Sequence, residues 1–284
     1  MTRVLIAGAG FTGLAAALFL SRRGHSVTLV ERDGAPPEST PTDDVSHWRH
    51  PGVSQARQSH ALLGRARRVL VDEAPDVVAA FLARGIHEIP VSVGAGTLDG
   101  EWMLLSRRLV AEAELRRVVA RERGITFLAG DAVVGLHVST TGSVPVVTGV
   151  DLASGASVQA DLVVDASGRR SALPDWFAQA GLPTPVEERQ DCGFFYLTRY
   201  YSVNAGCELP LSKIPASVAL DYATVFALGA DNDTFSLTVT LSVDDPHRSA
   251  LRDPQRFDAF LHEVPHSEPW IRVGTPISDI STMS

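Results

Sequence analysis

The chain has 284 residues, of which 45% are hydrophobic and 20% are charged, and its formal net charge is −8 at pH 7. A chain of this kind can bury a substantial core in one large or two moderate domains, and its negative charge argues against nucleic acid as a partner, because phosphate backbones bind clustered positive charge. The two cysteines, Cys192 and Cys207, belong to no C-x-x-C or Cys/His motif, so we expect two free thiols in a reducing cytoplasm and no metal site.

The first stretch of the chain has the pattern of a strand, a turn, a helix and a second strand. Apolar residues predict strands over Arg3–Ala7 and Val27–Val30, with a helix over Leu14–Arg23 that ends before Gly24. The stretch lacks the small-residue cleavage site of a secretory signal, and no other stretch has the length and apolar character of a membrane span. We therefore expect it to open a folded domain, in a protein without a membrane span.

The turn that follows the first strand has the spacing G-x-G-x-x-G, formed by Gly8, Gly10 and Gly13. In this motif the first glycine allows a tight turn, the second lets the backbone approach a pyrophosphate, and the third lets the helix pack closely on the strand. Glu31 ends the second strand, where its carboxylate can accept hydrogen bonds from a ribose diol. Arg32 beside it could accommodate a 2′-phosphate, which Glu31 would repel. The motif predicts a dinucleotide site and leaves open whether the nucleotide is NAD or FAD.

The middle of the chain alternates between loop, helix and strand patterns. Residues 33–54 are rich in Pro, Ser, Thr and Asp and are expected to form a long loop. Apolar periodicity predicts helices over Gln55–Glu73, Asp76–Arg84 and Arg108–Arg121, and strands over Ile89–Val93, Trp102–Leu105, Ile125–Leu128, Ala132–Val138, Val144–Leu152, Ser157–Ala160 and Leu162–Asp165. The last strand delivers Asp165-Ala166-Ser167-Gly168 at its carboxyl end, which is where open α/β sheets bind ligands.

From about Thr184 the sequence consists of alternating strands that are rich in aromatic residues. These strands cover Cys192–Val203, Val218–Gly229 and Thr234–Val243, and a hairpin turn joins the last two. A helix capped by Asp253 then starts at Pro254 and runs to about Glu263. We expect this part to form a sheet-based layer that walls a substrate pocket.

Strand alternation divides the polar and aromatic residues of Cys192–Val203 between two faces. Tyr196, Thr198 and Tyr200 fall on one face, and Arg199 and Tyr201 fall on the other. Only one of these faces can line a pocket, and the sequence leaves open which one.

Four segments, in this order, resemble those of the FAD-dependent monooxygenase and oxidoreductase superfamily, which includes the aromatic-ring hydroxylases, the flavin halogenases and the geranylgeranyl reductases. The segments are GAGFTG with Glu31, ARQSHALLGRARRVL (56–70), SRRLVAEAELRR (106–117) and DLVVDASGRRSALPDW (161–176). The resemblance spans nearly the whole chain and favours FAD over NAD. It implies an α/β fold in which a Rossmann-like FAD-binding domain covers residues 1–183 and a second, β-rich substrate domain covers 184–284.

The resemblance also implies which residues hold the cofactor. The implied contacts are Gly8, Gly10, Phe11, Thr12 and Gly13 at the pyrophosphate, Glu31 with the neighbouring Arg32 at the adenosine ribose, Arg107 or Arg108 on the flavin side, the Val133 backbone at the adenine, and Asp165, Ala166 and Gly168 at the pyrophosphate and riboflavin. A cation at the start of a helix is disfavoured by the helix dipole, which favours a ligand role for the arginines at 107 and 108.

In this superfamily the flavin carries the hard chemistry, since it is reduced by NAD(P)H and passes an oxygen atom to the substrate. The implied activity is that of an NAD(P)H-dependent monooxygenase that hydroxylates or epoxidises a small organic substrate, with NAD(P)H as a transient reductant. The candidates for catalysis are His60, Arg57 and Tyr200. A reductase of an apolar, isoprenoid-like substrate stays open. A halogenase is disfavoured because no W-x-W-x-I-P segment occurs.

One segment of the superfamily pattern is not found. Such flavoproteins usually carry, after the substrate sheet, a Gly-Asp segment with a following proline that binds the ribityl chain. The only Gly-Asp here is Gly130-Asp131, which precedes the Asp165 segment and which we interpret as ordinary structure. We therefore expect a C-terminally truncated or split flavoprotein with an incomplete substrate domain, whose flavin site is completed by a missing segment or by a partner chain. Such a chain could lack activity on its own.

Overall fold

A computed structural model of the chain describes residues 1–34, 48, 50–93, 96–210 and 216–284, with their side chains except those of 92–100. The described chain divides into two compact units. Unit 1 consists of Met1–Val53 and Glu112–Arg189, and unit 2 consists of Ser54–Ala111 and Gln190–Ser284. The sequence predicted a single boundary after residue 183, so the two divisions differ in the assignment of residues 54–111 and 184–189.

Unit 1 is built on a four-stranded parallel sheet with the order β10-β1-β2-β6. Its strands are β1 (Arg3–Ala7), β2 (Ser26–Glu31), β6 (Ile125–Ala129) and β10 (Leu162–Asp165). Leu5, Ile6 and Leu29 are fully buried, as expected of parallel strands that are covered on both faces. Since the strands are parallel, their carboxyl ends, at Ala7, Glu31, Ala129 and Asp165, meet at one edge of the sheet.

The other elements of unit 1 complete this sheet. Helix α1 (Phe11–Arg22) connects β1 to β2, and α4 (Arg108–Ala120), in which the boundary between the units falls, leads into β6. An antiparallel sheet of β7 (Val133–Ser139), β8 (Val146–Leu152) and β9 (Ser157–Gln159) precedes β10, and α5 (Leu173–Gln179) follows it.

Unit 2 contains a larger antiparallel sheet with the order β12-β13-β14-β11-β15, in which β16 also pairs with β11. Its strands are β11 (Phe194–Val203), β12 (Ser217–Ala219), β13 (Ala223–Gly229), β14 (Thr234–Ser242), β15 (Gly274–Pro276) and β16 (Ser281–Met283). Phe235, Leu237 and Val239 of β14 form a core with Phe257 of α6 (Pro254–His262) and with Trp270 of α7 (Glu268–Val273). The odd-numbered face of β14 is therefore the core face of this sheet.

The remainder of unit 2 is formed by residues 54–111. It comprises a small sheet of β3 (Ala61–Leu62), β4 (His87–Val93) and β5 (Gly96–Leu105) with α2 (Gly64–Glu73) and α3 (Pro75–Ala83). The hydroxyl of Ser59 hydrogen-bonds to those of Ser236 and Thr238, and the Asn232 amide donates to the Gly85 carbonyl. These bonds tie the segment to the large sheet of unit 2.

Three predicted elements differ from the structure, and one of them is the strand predicted over Trp102–Leu105, which begins six residues earlier, at Gly96. The helix predicted from Gln55 begins only at Gly64, because Gln58 and Ser59 bond to the large sheet and Ala61–Leu62 pairs with β5. The strand predicted over Val218–Gly229 is interrupted between β12 and β13. Elements β3, α5, α7, β15 and β16 were not predicted, and most of the predicted loop 33–54 lies outside the described residues. Within the described ranges, no helix is both long and apolar enough to cross a bilayer.

Candidate functional site

The glycine turn between β1 and α1 contains two glycines that the fold requires and one that faces open space. Gly8 has a φ of +99°, and a Cβ added there would lie 2.5 Å from the carbonyl oxygen of Ala166. A Cβ on Gly13 would overlap the carbonyl oxygen of Gly8. A Cβ on Gly10, in contrast, would meet no atom within 4 Å. Gly8 thus suits a tight turn, Gly13 a close contact of the helix, and Gly10 an open approach to a ligand.

The N-terminus of α1 is arranged to bind an anion. Gly10 is its N-cap residue, and neither a capping side chain nor an acidic residue of the first turn competes for its amides. Phe11 and Thr12 follow in the first turn, where amides and the helix dipole favour negative charge. The glycine turn and this helix end together can hold a pyrophosphate.

Glu31 lies at the carboxyl end of β2, beside the glycine turn. Its Oε2 accepts a hydrogen bond from the Ala9 amide at 2.6 Å, and its Oε1 accepts one from the Asp33 amide at 2.8 Å. A carboxylate has about four acceptor positions, so two remain for a ribose diol. The side chain of Arg32 is 68% exposed, and its Nε lies 3.7 Å from Asp33 Oδ1. Glu31, rather than Arg32, is therefore the buried group at this strand end.

The Gly130-Asp131 pair forms part of the turn after β6. Both amides donate to the Glu31 carbonyl, at 2.8 and 3.1 Å, and Gly130 has a φ of +79°. The Asp131 side chain accepts from the Ala132 amide and from Ser154. The pair shapes the turn that leads into Val133, the first residue of β7.

A buried charged cluster that the sequence analysis did not identify lies next to Glu31. His50 Nδ1 is 2.7 Å from Asp33 Oδ2, and His50 Nε2 is 2.6 Å from Glu112 Oε1. Burial alone would lower the pKa of His50, but the bonds to Glu112 and Asp33 and nearby Glu31 raise it overall. Burial opposes the low pKa of Asp33, which the hydrogen bond from His50 nevertheless holds below its usual value.

Arg116 is the second cation of this cluster. It is 4% exposed, and its Nε and both Nη atoms have no hydrogen-bond partner among the residues that the structure describes. Its guanidinium lies 4.7 Å from the centre of the Phe127 ring and 5.5 Å from that of Trp48. Glu112 and Arg116 are spaced i, i+4 on α4, which is the one signal in the sequence for this cluster.

Glu31, Asp33 and His50 bring three possible metal-ligand atoms within 4.8 Å of one another. Both nitrogens of the His50 ring are already hydrogen-bonded to carboxylates, and the Arg116 guanidinium adds a further positive charge beside these groups. The arrangement is an ion-pair network, since a cation would have to displace His50 and approach Arg116.

The Asp165 segment follows β10 and packs on the glycine turn. The Asp165 carboxylate accepts from the amide and the hydroxyl of Ser167 and from the hydroxyl of Ser171. The Ala166 amide donates to the Ala7 carbonyl, and Gly168 has a φ of +87°. Asp165 thus fixes the shape of the loop, while Ser167 and Gly168 are exposed.

In unit 2, the guanidinium of Arg107 is bound to a buried carboxylate. Asp231, which is fully buried at the turn between β13 and β14, accepts from the Arg107 amide at 2.7 Å and from Nη2 at 2.6 Å, with Nε at 3.1 and 3.2 Å. Asn232 and Asp233 both have a φ of +51° in this turn. Arg107 therefore anchors the hairpin. The sequence predicted a flavin contact for Arg107 or Arg108, and of these two the guanidinium of Arg107 is bound to Asp231.

The large sheet of unit 2 has a face rich in hydroxyl groups opposite its core face. Thr198 and Thr238 are buried and lie 2.7 Å apart through their hydroxyls. Thr238 also bonds to Ser59 at 2.6 Å, and Thr198 donates to the Gln58 side chain at 2.6 Å. Tyr201 packs in the core on the other face. The two predicted faces of β11 are confirmed.

The three candidates for catalysis occupy different environments. Tyr200 is buried, its hydroxyl donates to the Gln58 carbonyl at 2.9 Å, and burial raises its pKa well above the usual value. His60 precedes β3, and its Nε2 lies 3.5 Å from Arg108 Nη1. Arg57 is exposed in the turn before Gln58. Of the three candidates, His60 is thus the one whose side chain is partly buried and lies next to a cation, Arg108.

Two family models match the chain. The model of FAD dependent oxidoreductases matches residues 3–98, and the model of tryptophan halogenases matches residues 106–188. The protein Rv3254 of Mycobacterium tuberculosis is 27% identical over 227 residues, which are 71% of this chain and 45% of that protein. The chain thus spans less than half the length of this relative.

Solved structures of flavoenzymes have the same fold. PqsL of Pseudomonas aeruginosa, described as a probable FAD-dependent monooxygenase, has a TM-score of 0.73 at 16% identity, covering all of this chain and 73% of PqsL. The flavin-dependent halogenase CmlS has a TM-score of 0.66 at 17% identity, covering 99% of this chain and 49% of CmlS. The flavin-dependent brominase Bmp2 has a TM-score of 0.67 at 18% identity, covering 99% of this chain and 66% of Bmp2.

These matches confirm the expected resemblance to the FAD-dependent oxidoreductases and the expected α/β fold. The sheet of unit 1 has the Rossmann-type arrangement, with the glycine turn at the carboxyl edge of its strands, and unit 2 contains the larger antiparallel sheet.

Proposed function

We propose that this chain, which has the fold of the FAD-dependent oxidoreductases, binds FAD and serves an NAD(P)H-dependent monooxygenase that hydroxylates or epoxidises a small organic substrate. The observation that carries the proposal is the glycine turn of unit 1. Gly10 faces open space at the uncapped end of α1, and Glu31 with two available acceptor positions lies beside it. A pyrophosphate and an adenosine ribose fit these groups.

The residues of unit 1 would bind and orient the cofactor. The amides that follow Gly10 would hold the pyrophosphate, Glu31 would accept from the ribose, and the loop shaped by Asp165 would cover the pyrophosphate from β10. Flavin, when bound, supplies the redox chemistry and the reaction with oxygen. NAD(P)H would act as the transient reductant.

The hydroxyl face of unit 2 consists of side chains that bond to one another and to Gln58 and Ser59. These bonds hold residues 58–59 on the sheet and express no preference between a polar and an isoprenoid-like substrate. The measurement of dioxygen uptake therefore decides between the monooxygenase and a reductase.

A flavin halogenase is a second candidate, because the tryptophan halogenase model matches residues 106–188. The 284 residues contain no W-x-W-x-I-P segment, so we keep the monooxygenase as the first proposal. We also propose that a further segment or a partner chain supplies the ribityl-binding Gly-Asp segment. A cytoplasmic location is proposed because NAD(P)H is available there and because Cys192 and Cys207 are both free and exposed.

Titration of the purified chain with FAD, followed by flavin fluorescence, tests cofactor binding. The wild-type chain is expected to bind FAD saturably. The substitution Gly10→Val places a side chain in the open space and is expected to abolish binding while the fold is retained. Gly142→Val is the matched control, since a Cβ there meets only one atom within 4 Å, at 3.8 Å. Equal affinity in both variants would contradict the proposed site.

A second experiment separates the possible reactions. Oxidation of NADH and NADPH is measured with and without candidate aromatic substrates, together with dioxygen uptake. A monooxygenase consumes dioxygen in proportion to hydroxylated or epoxidised product, whereas a reductase reduces its substrate without consuming dioxygen. A chain that binds FAD but shows neither reaction would indicate that a further segment or a partner is needed.

A further inference from the structure

His50 is held between two buried carboxylates of unit 1. The accessible fractions of the three side chains are 2% for His50, 6% for Asp33 and 0% for Glu112. Since both ring nitrogens face carboxylate oxygens at 2.6 and 2.7 Å, the protonated imidazolium is the form that donates to both of them. The Trp48 ring stacks on the imidazole with centroids 5.0 Å apart.

The Asp33 side chain connects this pair of bonds to the cofactor site. Its Oδ2 accepts from His50 and from the Gly52 amide, and its own backbone amide donates to Glu31 Oε1. Glu31 Oε2 is fixed by the Ala9 amide of the glycine turn. The orientation of the Glu31 carboxylate thus depends on the placement of Asp33, which is held by His50 together with the Gly52 amide.

Charges on the packed elements explain why a cation is needed at this position. Glu31 and Asp33, from the end of β2, and Glu112, from α4, are three carboxylates in one buried region. Arg116 of α4 also faces them, and its nitrogens make no hydrogen bond to the described residues, whereas the 68% exposed Arg32 lies with its Nε 3.7 Å from Asp33 Oδ1. His50 is the cation that lies within hydrogen-bond distance of both Asp33 and Glu112, so the loss of its charge would remove this donor from both carboxylates and increase the repulsion among the three.

We propose that His50 is a positioning residue for the adenosine end of the cofactor site, and that its protonated form holds Glu31 in the orientation that binds the ribose. The inference rests on the proposed binding of FAD. It makes the affinity for FAD depend on pH, because the hydrogen bonds to Asp33 and Glu112 are complete only while both ring nitrogens carry protons.

The direction of the pH dependence follows from the environment of His50. Burial lowers its pKa, the bonds to Glu112 and Asp33 outweigh this, and the resulting pKa lies above the usual 6.5. The positioning is therefore complete below pH 6.5 and is lost as the pH rises through the raised pKa. At the acid end the positioning depends on the charge of Asp33, whose pKa is depressed. It is lost as the pH falls below about 4 and the Asp33 carboxylate becomes protonated.

The test compares His50→Gln with His137→Gln in FAD titrations between pH 6 and pH 9. His137 is the matched control, because it also pairs with a carboxylate of unit 1, Asp151, but its side chain is 31% exposed. Loss of a charge-assisted hydrogen bond weakens binding by about tenfold or more. Wild type and His137→Gln are expected to bind FAD about tenfold more tightly than His50→Gln at pH 6 and to lose affinity as the pH rises through the raised pKa of His50, whereas His50→Gln is expected to bind weakly without this change.

Thermal unfolding without FAD, with circular dichroism at each pH, shows whether the variants fold. The inference is overturned if folded His50→Gln keeps the wild-type affinity and pH dependence. It is also overturned if His50→Gln is less stable but shows the wild-type change of affinity with pH, since His50 would then be only structural. If the wild-type chain and all variants fail to bind FAD at every pH, the proposed function is refuted as well. If the wild type binds FAD, the proposed function stands, and only the role of His50 is tested.

Discussion

The ion pair between Arg107 and Asp231 yields the sharpest prediction for stability. Asp231 is fully buried and accepts from Nε and Nη2 of Arg107, whereas the Arg107 side chain keeps 17% of its accessible surface. Arg107→Ala removes these bonds and leaves a buried carboxylate with the Arg107 amide and Asn232 as donors. Removing one partner of a buried pair costs about 3–5 kcal/mol.

The reverse substitution is expected to cost less. Asp231→Ala leaves a guanidinium that can reach water, so we expect a loss of about 2 kcal/mol. Urea denaturation followed by circular dichroism measures both variants, and the double variant is expected to lose less than the sum of the two by about 1–3 kcal/mol. A loss below about 1 kcal/mol for Arg107→Ala would refute the structural role, and a selective loss of FAD affinity instead would support the flavin contact.

Three further substitutions test separate parts of the structure. Gly13→Ala is expected to cost about 1–3 kcal/mol in urea unfolding, because its Cβ would overlap the Gly8 carbonyl, and a neutral effect would contradict the close packing of α1 on the turn. Thr238→Val removes a hydroxyl bonded to Ser59 and Thr198 and is expected to lower stability by about 1–2 kcal/mol, whereas an unchanged midpoint would show that the hydroxyl face contributes nothing. Asp253→Ala removes the cap that accepts from two amides of α6 and should cost about 1 kcal/mol, with Asp253→Asn expected to retain most of that stability.

The sequence predicted the elements whose pattern is local. Strand β1, the turn of Gly8 to Gly13 and helix α1 follow from apolar runs and glycine spacing, and the structure has them within three residues of the predicted bounds. The cap at Asp253 was likewise visible in two consecutive residues, Asp253 and Pro254. Such features depend on neighbours in the chain, so a single sequence suffices to find them.

Features that depend on distant residues were not predicted. The helix expected from Gln55 has a suitable local pattern, but the bonds from Gln58 and Ser59 to the large sheet keep its first part out of a helix. The cluster of Asp33, His50 and Glu112 joins residues up to 79 positions apart, and no spacing in the sequence reports that contact. Tertiary contacts of this kind override local propensity.

The central claim is that the glycine turn of unit 1 and Glu31 hold the adenosine and pyrophosphate of FAD. Hydrogen–deuterium exchange with and without FAD tests it most directly, because exchange slows where a ligand fixes backbone amides. The account predicts slower exchange in residues 8–13 and 31–33 on addition of FAD, and no such change in the Gly10→Val variant. Unchanged exchange in both segments at a saturating FAD concentration would contradict it.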